Sequence, residues 1–421
     1  MTHRRVPLIA GSLALVLGVT VVLLLRHNIP RMDSLPSVAA GEPAFMAAME
    51  AHTASPIVGG NVVHLLLNGD EIFPAKLAAI RAARTSIDYA EYFYADGALA
   101  RQIAQTLAER CRAGVTANIL FDAVGTLSMS SEDASLMKDA GCRVHTFRPL
   151  AGFTLRRRNT RNHRRILVVD GRVGFTGGSG VSDKWIGNGR VDGHWRDTDA
   201  RVEGPAVRWL QSAFAENWRE ATGEVLGDAR YFPDLDRVGD QRAQIIRSSP
   251  AAGSYAMYTM YLLAIASARH TIQVTNPYFL PDEQMEEALR AAVARGVQVT
   301  VITPGKIDHN VVRSASRRGF GDLLRAGIQI YEYQAALLHS KTMVIDGVWA
   351  TLGSTNFDRR SFALNDELNL VLYDRAVVGR LVDVFQKDLS RSQRVTYEAW
   401  ANRGLRAKLL EIFVIPLESQ L

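Results

Sequence analysis

HSKTMVIDGVWATLGSTN, residues 339–356, repeats in outline a stretch far upstream, HRRILVVDGRVGFTGGSG at 163–180. Each copy opens on a histidine, His339 or His163, and sets a cation two residues on, Lys341 or Arg165. An aspartate closes the segment, Asp346 or Asp170, and a Gly-rich turn follows a short apolar run. The apolar segments ILVVD and VGFTGG, like TMVID and VWATLG, read as strand pairs joined at Gly171 and at Gly347.

The surroundings repeat as well. LAAIRAARTSIDYAEYFY (77–94), ALARQIAQTLAERCRAGVTANILFD (98–122) and ASLMKDAGCRVHTF (134–147) each read as a helix running into a strand. LLAIASARHTIQVTNPYF (262–279), QMEEALRAAVARGVQVTVIT (284–303) and FGDLLRAGIQIYEY (320–333) follow in the same order before the second phrase. Alternating helices and apolar strands predict an α/β fold with helices outside the sheet. Two such halves related by a pseudo-twofold would bring equivalent loops to one interface.

In an extended segment residues two apart share a face, so His339 and Lys341 project together. Lys341 brings a cation and three donors. Ser354 and Asn356 in the following turn add neutral donors, a set suited to a phosphoryl oxygen. A neutral imidazole can attack phosphorus, and a second histidine opposite can protonate the leaving alcohol. In-line displacement needs groups on both sides of phosphorus. One copy of the phrase is therefore half an active site.

Paired His-x-Lys-x4-Asp motifs make the chain resemble the phospholipase D superfamily. HSKTMVIDGVWATLGSTNFDRRSFALNDELN (339–369), WRDTDARVEGPAV (195–207) and NPYFLPD (276–282) make it similar to the bacterial cardiolipin synthase branch. The resemblance implies two phospholipase D-like halves, each a mixed sheet flanked by helices, which we place at 61–225 and 240–395. A linker and entry segment at 26–60 precedes them and an amphipathic tail at 396–421 follows. The resemblance also implies a two-step transfer through a phosphohistidine, with no metal or other cofactor. Its catalytic set here is His163, Arg165, Asp170, His339, Lys341 and Asp346, with Asp170 and Asp346 read as braces of strand and loop. The N-terminal histidine is often the nucleophile in such enzymes, so His163 is expected to attack and His339 to serve as acid and base. Ser179, Ser354 and Asn356 are expected to contact substrate. Glu367, in NDELN, matches the acid that follows the second motif, and Asp197, in WRDTDA, holds the corresponding place in the first half. Each is expected to orient a histidine through its other ring nitrogen.

Two positions depart from the pattern: Arg165 stands in the lysine position and Gly180 in the asparagine position. Arginine keeps the charge and can hold phosphate through two donors, but it is planar and bulkier. Losing an amide donor can cost on the order of 10²–10³ in rate. Backbone N–H groups of Gly177, Gly178 and Gly180, forming an anion nest, are expected to offset this, with Ser179 adding a hydroxyl. On that reading Gly180→Asn raises the rate if the half-site is impaired.

The net charge of +6 suits anionic partners, lipid headgroups or nucleic acid. Cys111 and Cys142 are too few for a disulfide framework, and no CxxC or Cys/His cluster suggests zinc. Residues 6–25, VPLIAGSLALVLGVTVVLLL, carry no charge. At about 1.5 Å each they span roughly 30 Å, a bilayer core. The run is long for a signal peptide, and its nearest cleavage-like site, Val38-Ala39-Ala40, lies far downstream. It is read as a single anchor in the bacterial inner membrane, with the body most simply outside the cytoplasm. LRRRNTRNHRR (155–165), with six arginines, reads as a solvated basic loop or a headgroup-attracting rim, and RSASRRG (313–319) adds three more. The tail GLRAKLLEIFVIPL (404–417) suits the membrane interface or core packing. Glu91 and Tyr92 are expected to approach the pocket.

These readings converge on a membrane-anchored phosphatidyltransferase making cardiolipin from phosphatidylglycerol and a second phospholipid. A phospholipase D using water as acceptor shares the chemistry up to the phosphohistidine; pocket shape and water exclusion separate the two. A nuclease is a third reading, opposed by the anchor and the motif surroundings, and no nucleic acid partner is expected. A catalytically retired lipid-binding protein is a fourth, resting on Arg165 and Gly180.

Overall fold

The computed structural model describes residues 29–151, 159–307, 310–404, 408 and 411. The expected anchor at 6–25, residues 155–158 of the basic loop and most of the tail lie outside them. Among the described residues no helix is long and apolar enough to cross a membrane.

The described residues fold as mixed α/β around a fifteen-stranded sheet. At its centre Ile57–Leu67 runs antiparallel to Gln241–Ser248. Outward from the first lie Thr198–Glu203, Val173–Gly177, Ile166–Val169, Ser86–Glu91, Thr116–Asp122 and Arg143–Phe147. Outward from the second lie Glu367–Leu372, Trp349–Gly353, Thr342–Ile345, Thr271–Thr275, Gln298–Pro304 and Gln329–Tyr333, with Ser392–Val395 added at the edge. The two wings match strand for strand. In each, the outer strands are parallel and joined through helices, and the inner antiparallel pair carries the histidine phrase.

Parallel strands covered on both faces need apolar residues on both. TANILFD (116–122) is accordingly buried from Ala117 onward. The helix Ala98–Arg112 packs Leu99, Ile103 and Leu107 against that layer, while its other face carries Arg101, Gln102 and Glu109. The central strands lose register between Val58 and Asn61, where Gly60 sits at a φ of +94°. Such a bulge bends the strand, and the wings fold face to face. Val63, Ile166, Ala200 and Val202 share one core with Val344, Leu352, Leu368 and Leu370.

Cys111, near the end of the helix Ala98–Arg112, is disulfide-bonded to Cys142, just before the strand Arg143–Phe147. Two cysteines do not make a framework, but they make one staple; closing a loop of this size stabilises by about 3–4 kcal/mol.

Candidate active site

His163 lies just before the strand Ile166–Val169, and His339 just before Thr342–Ile345. Backbone hydrogen bonds stitch each of these loops to the opposite wing. His163 N–H donates to Asp366 O at 2.9 Å, Asp366 N–H to Arg161 O at 2.9 Å, and His339 N–H to Arg196 O at 2.8 Å. Leu337–Leu338 also pairs in parallel with Trp195–Arg196.

The acids cross over. His163 Nδ1 lies 2.9 and 3.0 Å from the two carboxylate oxygens of Glu367. His339 Nδ1 lies 2.8 Å from Asp197 Oδ2. Each histidine thus takes its acid from the other half. A carboxylate only accepts, so the proton of each neutral ring belongs on Nδ1 and the lone pair on Nε2. Arg165 Nη2 lies 3.3 Å from His163 Nε2, and Lys341 Nζ lies against the His339 ring, 2.7 Å from Nδ1 and 3.0 Å from Nε2. Tyr92 stands edge-on to the His163 ring at 4.7 Å. Glu91 Oε1 lies 3.9 Å from Arg165 Nε.

Burial, then Arg165, Lys341 and His339, push His163 well below the ordinary imidazole range. Burial and Lys341 lower His339 to about 4, with Asp197 acting in the opposite direction. Burial alone would raise Asp197, but His339, Lys341 and the Trp185 indole more than offset it and hold that carboxyl low. At Glu367 burial dominates and pushes the carboxyl up to about 7. Both rings are therefore neutral near pH 7, and Asp197 is the firmer anion of the two acids. Because Glu367 is raised, its accepting anionic form is lost as pH falls through about 7. The profile of kcat/KM should show an acid limb there when initial rates are read between roughly pH 5 and 9, and a profile flat through pH 7 would sink this reading.

Several expected contacts lie elsewhere. Asp170 and Asp346 sit at the far ends of their strands, with φ of 52° and 51°, and are not in the site. Asp170 Oδ1 accepts from the N–H of Thr85 at 2.7 Å and Ser86 at 3.0 Å. Asp346 accepts from the N–H of Arg269, His270 and Thr271 at 2.8, 2.8 and 2.7 Å. Both brace helix–strand junctions. Ser179 also turns away: its Oγ donates to Asp199 Oδ2 at 2.7 Å and accepts from Lys76 Nζ at 3.0 Å. Within the aligned turns its counterpart is Thr355, whose Oγ1 donates to Asn369 Oδ1 at 2.8 Å in the same way. Ser354 Oγ donates to the Glu367 carboxylate, so it supports the partner of His163. Asn356 remains a candidate for substrate, its buried Oδ1 having no hydrogen-bond partner among the described residues.

The expected anion nest is short of at least one N–H group. Gly178 N–H donates to Thr198 O at 3.3 Å, and Ser179 N–H to Asp199 Oδ1 at 3.1 Å. A Cβ on Gly180 would lie 3.0 Å from Phe93 O and 3.2 Å from the Trp185 ring. An asparagine there would have to push Phe93 or the Trp185 ring aside by a few tenths of an ångström, so the rate of Gly180→Asn no longer reads out an impaired half-site cleanly. Arg161 and Arg164 are buried, not solvated. Arg164 donates to Asn217 Oδ1 at 2.9 Å and to Ser248 O at 3.0 Å, where the wings join. Sequence reasoning missed Trp185 and the Lys76–Asp199 ion pair at 2.7 Å; neither carries a motif or a period that marks it.

Fold and paired-histidine site together define an enzyme of the phospholipase D superfamily. The family described as cardiolipin synthase, PLD-like domain, matches residues 261–389. Cardiolipin synthase of Geobacillus kaustophilus is 35% identical over 359 residues, covering 85% of this chain and 72% of that protein. Cardiolipin synthase A of Pseudomonas putida is 35% identical over 360 residues, covering 84% and 74%. The chain belongs to the cardiolipin synthase family. The crystal structure of phosphatidylserine synthase from Haemophilus influenzae shares the fold at 12% identity, with a TM-score of 0.64 over 89% of this chain and 97% of that one.

Proposed function

We propose that the protein is a membrane-anchored phosphatidyltransferase that makes cardiolipin from phosphatidylglycerol and a second phospholipid. The observation that carries this reading is the crossed pair: two buried neutral histidines, each oriented by an acid of the other half, beside two cations.

His163 Nε2 attacks the donor phosphorus; the N–P bond forms as the P–O bond to the departing glycerol breaks. The donor's phosphate charge offsets Arg165 and Lys341 and raises His339, which takes up a solvent proton on Nε2 as the donor binds. His339, facing the firmer anion Asp197, gives its proton to the leaving alkoxide. In the second step the acceptor hydroxyl passes its proton to His339 as its oxygen attacks phosphorus. The new P–O bond forms, the N–P bond breaks, and both histidines return to their first state. Arg165 and Lys341 hold the non-bridging oxygens through charge-assisted hydrogen bonds, and Asn356 adds its amide. His163 suits the nucleophile because its acid, Glu367, charges it less readily than Asp197 charges His339.

The strand-for-strand match of the wings supports two phospholipase D-like halves at 61–225 and 240–395. The Cys111–Cys142 disulfide supports a body outside the cytoplasm, since disulfides persist in oxidising compartments. Residues 6–25 supply the inner-membrane anchor on this reading.

The test is product analysis with the purified full chain in mixed micelles, using labelled phosphatidylglycerol with and without phosphatidylethanolamine. Cardiolipin is the expected product. Phosphatidic acid in its place would replace the transferase with a hydrolase, and no turnover would favour the retired lipid-binding protein.

A further inference from the structure

The two halves do not support their acids alike. Ser354 gives a hydroxyl to Glu367. Its counterpart in the first half is Gly178, where a Cβ would lie 2.2 Å from Asp197 Oδ1, so no hydroxyl fits. Trp185 makes the missing bond instead: its Nε1–H donates to Asp197 Oδ2 at 2.9 Å. The same ring packs against Gly180, the counterpart of Asn356.

The ring is held on every side. Trp185 closes a short turn, Asp183–Trp185. The Asp183 carboxylate accepts from the N–H of Ala98 at 3.0 Å and of Leu99 at 2.9 Å, fixing that turn to a helix start. Phe93 packs on the indole at 5.7 Å and Trp195 at 4.3 Å. Trp185 stands edge-on to His339 at 5.2 Å, and Trp195 lies 5.3 Å from the same imidazole. Trp185 is 1% exposed and Trp195 9%. A site water needs two to four polar partners; of those at His339, Asp197 is already held by Trp185 and Lys341 is the cation for phosphate, and the indole rings add few.

We propose that Trp185 is a positioning residue that also sets acceptor specificity: its N–H holds Asp197 for His339, and its ring, with Trp195, keeps water from His339 so that the hydroxyl deprotonated there belongs to a lipid. This rests on the transferase reading above. One indole thus does the work that Ser354 does opposite and fills the space that Gly180 opens. The glycine that looked like a lost donor is the room the tryptophan occupies.

The experiment uses the full chain in mixed micelles with labelled phosphatidylglycerol, reading kcat, KM and the ratio of cardiolipin to phosphatidic acid, with thermal melts confirming folding. Trp185→Phe keeps a ring without the N–H. Its kcat should fall about tenfold, as for a lost hydrogen bond to a charged group, with KM and product ratio little changed. Trp185→Leu opens the wall, and its phosphatidic acid share should rise several-fold at whatever rate remains. Trp185→Met, which likewise removes the flat ring, serves for the ratio if the Leu variant does not fold. A wild-type kcat in Trp185→Phe overturns the positioning role, and an unchanged ratio in Trp185→Leu or Trp185→Met overturns the specificity role. Wild-type protein that yields phosphatidic acid and no cardiolipin would instead overturn the transferase reading, while the kcat of Trp185→Phe still tests the hold on Asp197.

Discussion

His163→Ala abolishes turnover, with kcat lower by at least about 10⁵-fold, because removing one member of a catalytic unit removes nearly all that the unit does. His339→Ala falls comparably with the natural donor but for a different reason, and the difference is measurable. A phosphatidyl donor with a nitrophenolate leaving group needs no acid to depart. With it, His339→Ala still loads His163, and the missing base strands the phosphatidyl group there. Acid-labile, base-stable label should therefore build up on His339→Ala protein and never on His163→Ala. The opposite pattern would exchange the two roles. The assignment rests on geometry and charge together: Asp197, held low, sits at His339, and Glu367, pushed up to about 7, sits at His163.

Asp197→Asn, although it lies in the first half, should behave as a mutation of the second half's histidine. Losing a carboxylate that sets the tautomer of a catalytic histidine costs on the order of 10³–10⁴ in kcat. With the nitrophenyl donor, Asp197→Asn should strand label as His339→Ala does, whereas Glu367→Gln should fail to load. The double variant Asp197→Asn with His339→Ala should be no slower than His339→Ala alone, since the acid then has nothing to orient. Additive losses, or an Asp197→Asn protein that cannot load, would sink the crossed arrangement.

The same crossing marks where local reading stops. The turns after the motifs show it on a small scale. Ser179 and Ser354 look alike in GGSG and GSTN, but they are one position out of step. Alternate residues of an extended segment face opposite ways, so Ser354 reaches Glu367 and Ser179 reaches Asp199 and Lys76. Arg161 and Arg164 read as solvated because charged side chains usually are. They are buried because backbone carbonyls and acids at the wing junction meet their donors.

By itself the sequence determined the order of helix–strand units, the strand pairs turning at Gly171 and Gly347, the two histidines with their cations, and the bracing role of Asp170 and Asp346. These follow from period, turn chemistry and residue type, which act over a few neighbouring positions; the family likeness added Glu367 and Asp197 as acids. Only the tertiary structure decided which acid serves which histidine, and that Trp185 stands where Gly180 leaves space. His163 and Glu367 are 204 positions apart, and His339 and Asp197 are 142 apart. Those contacts exist because the two wings close on one shared core, and no local pattern encodes which loops then meet.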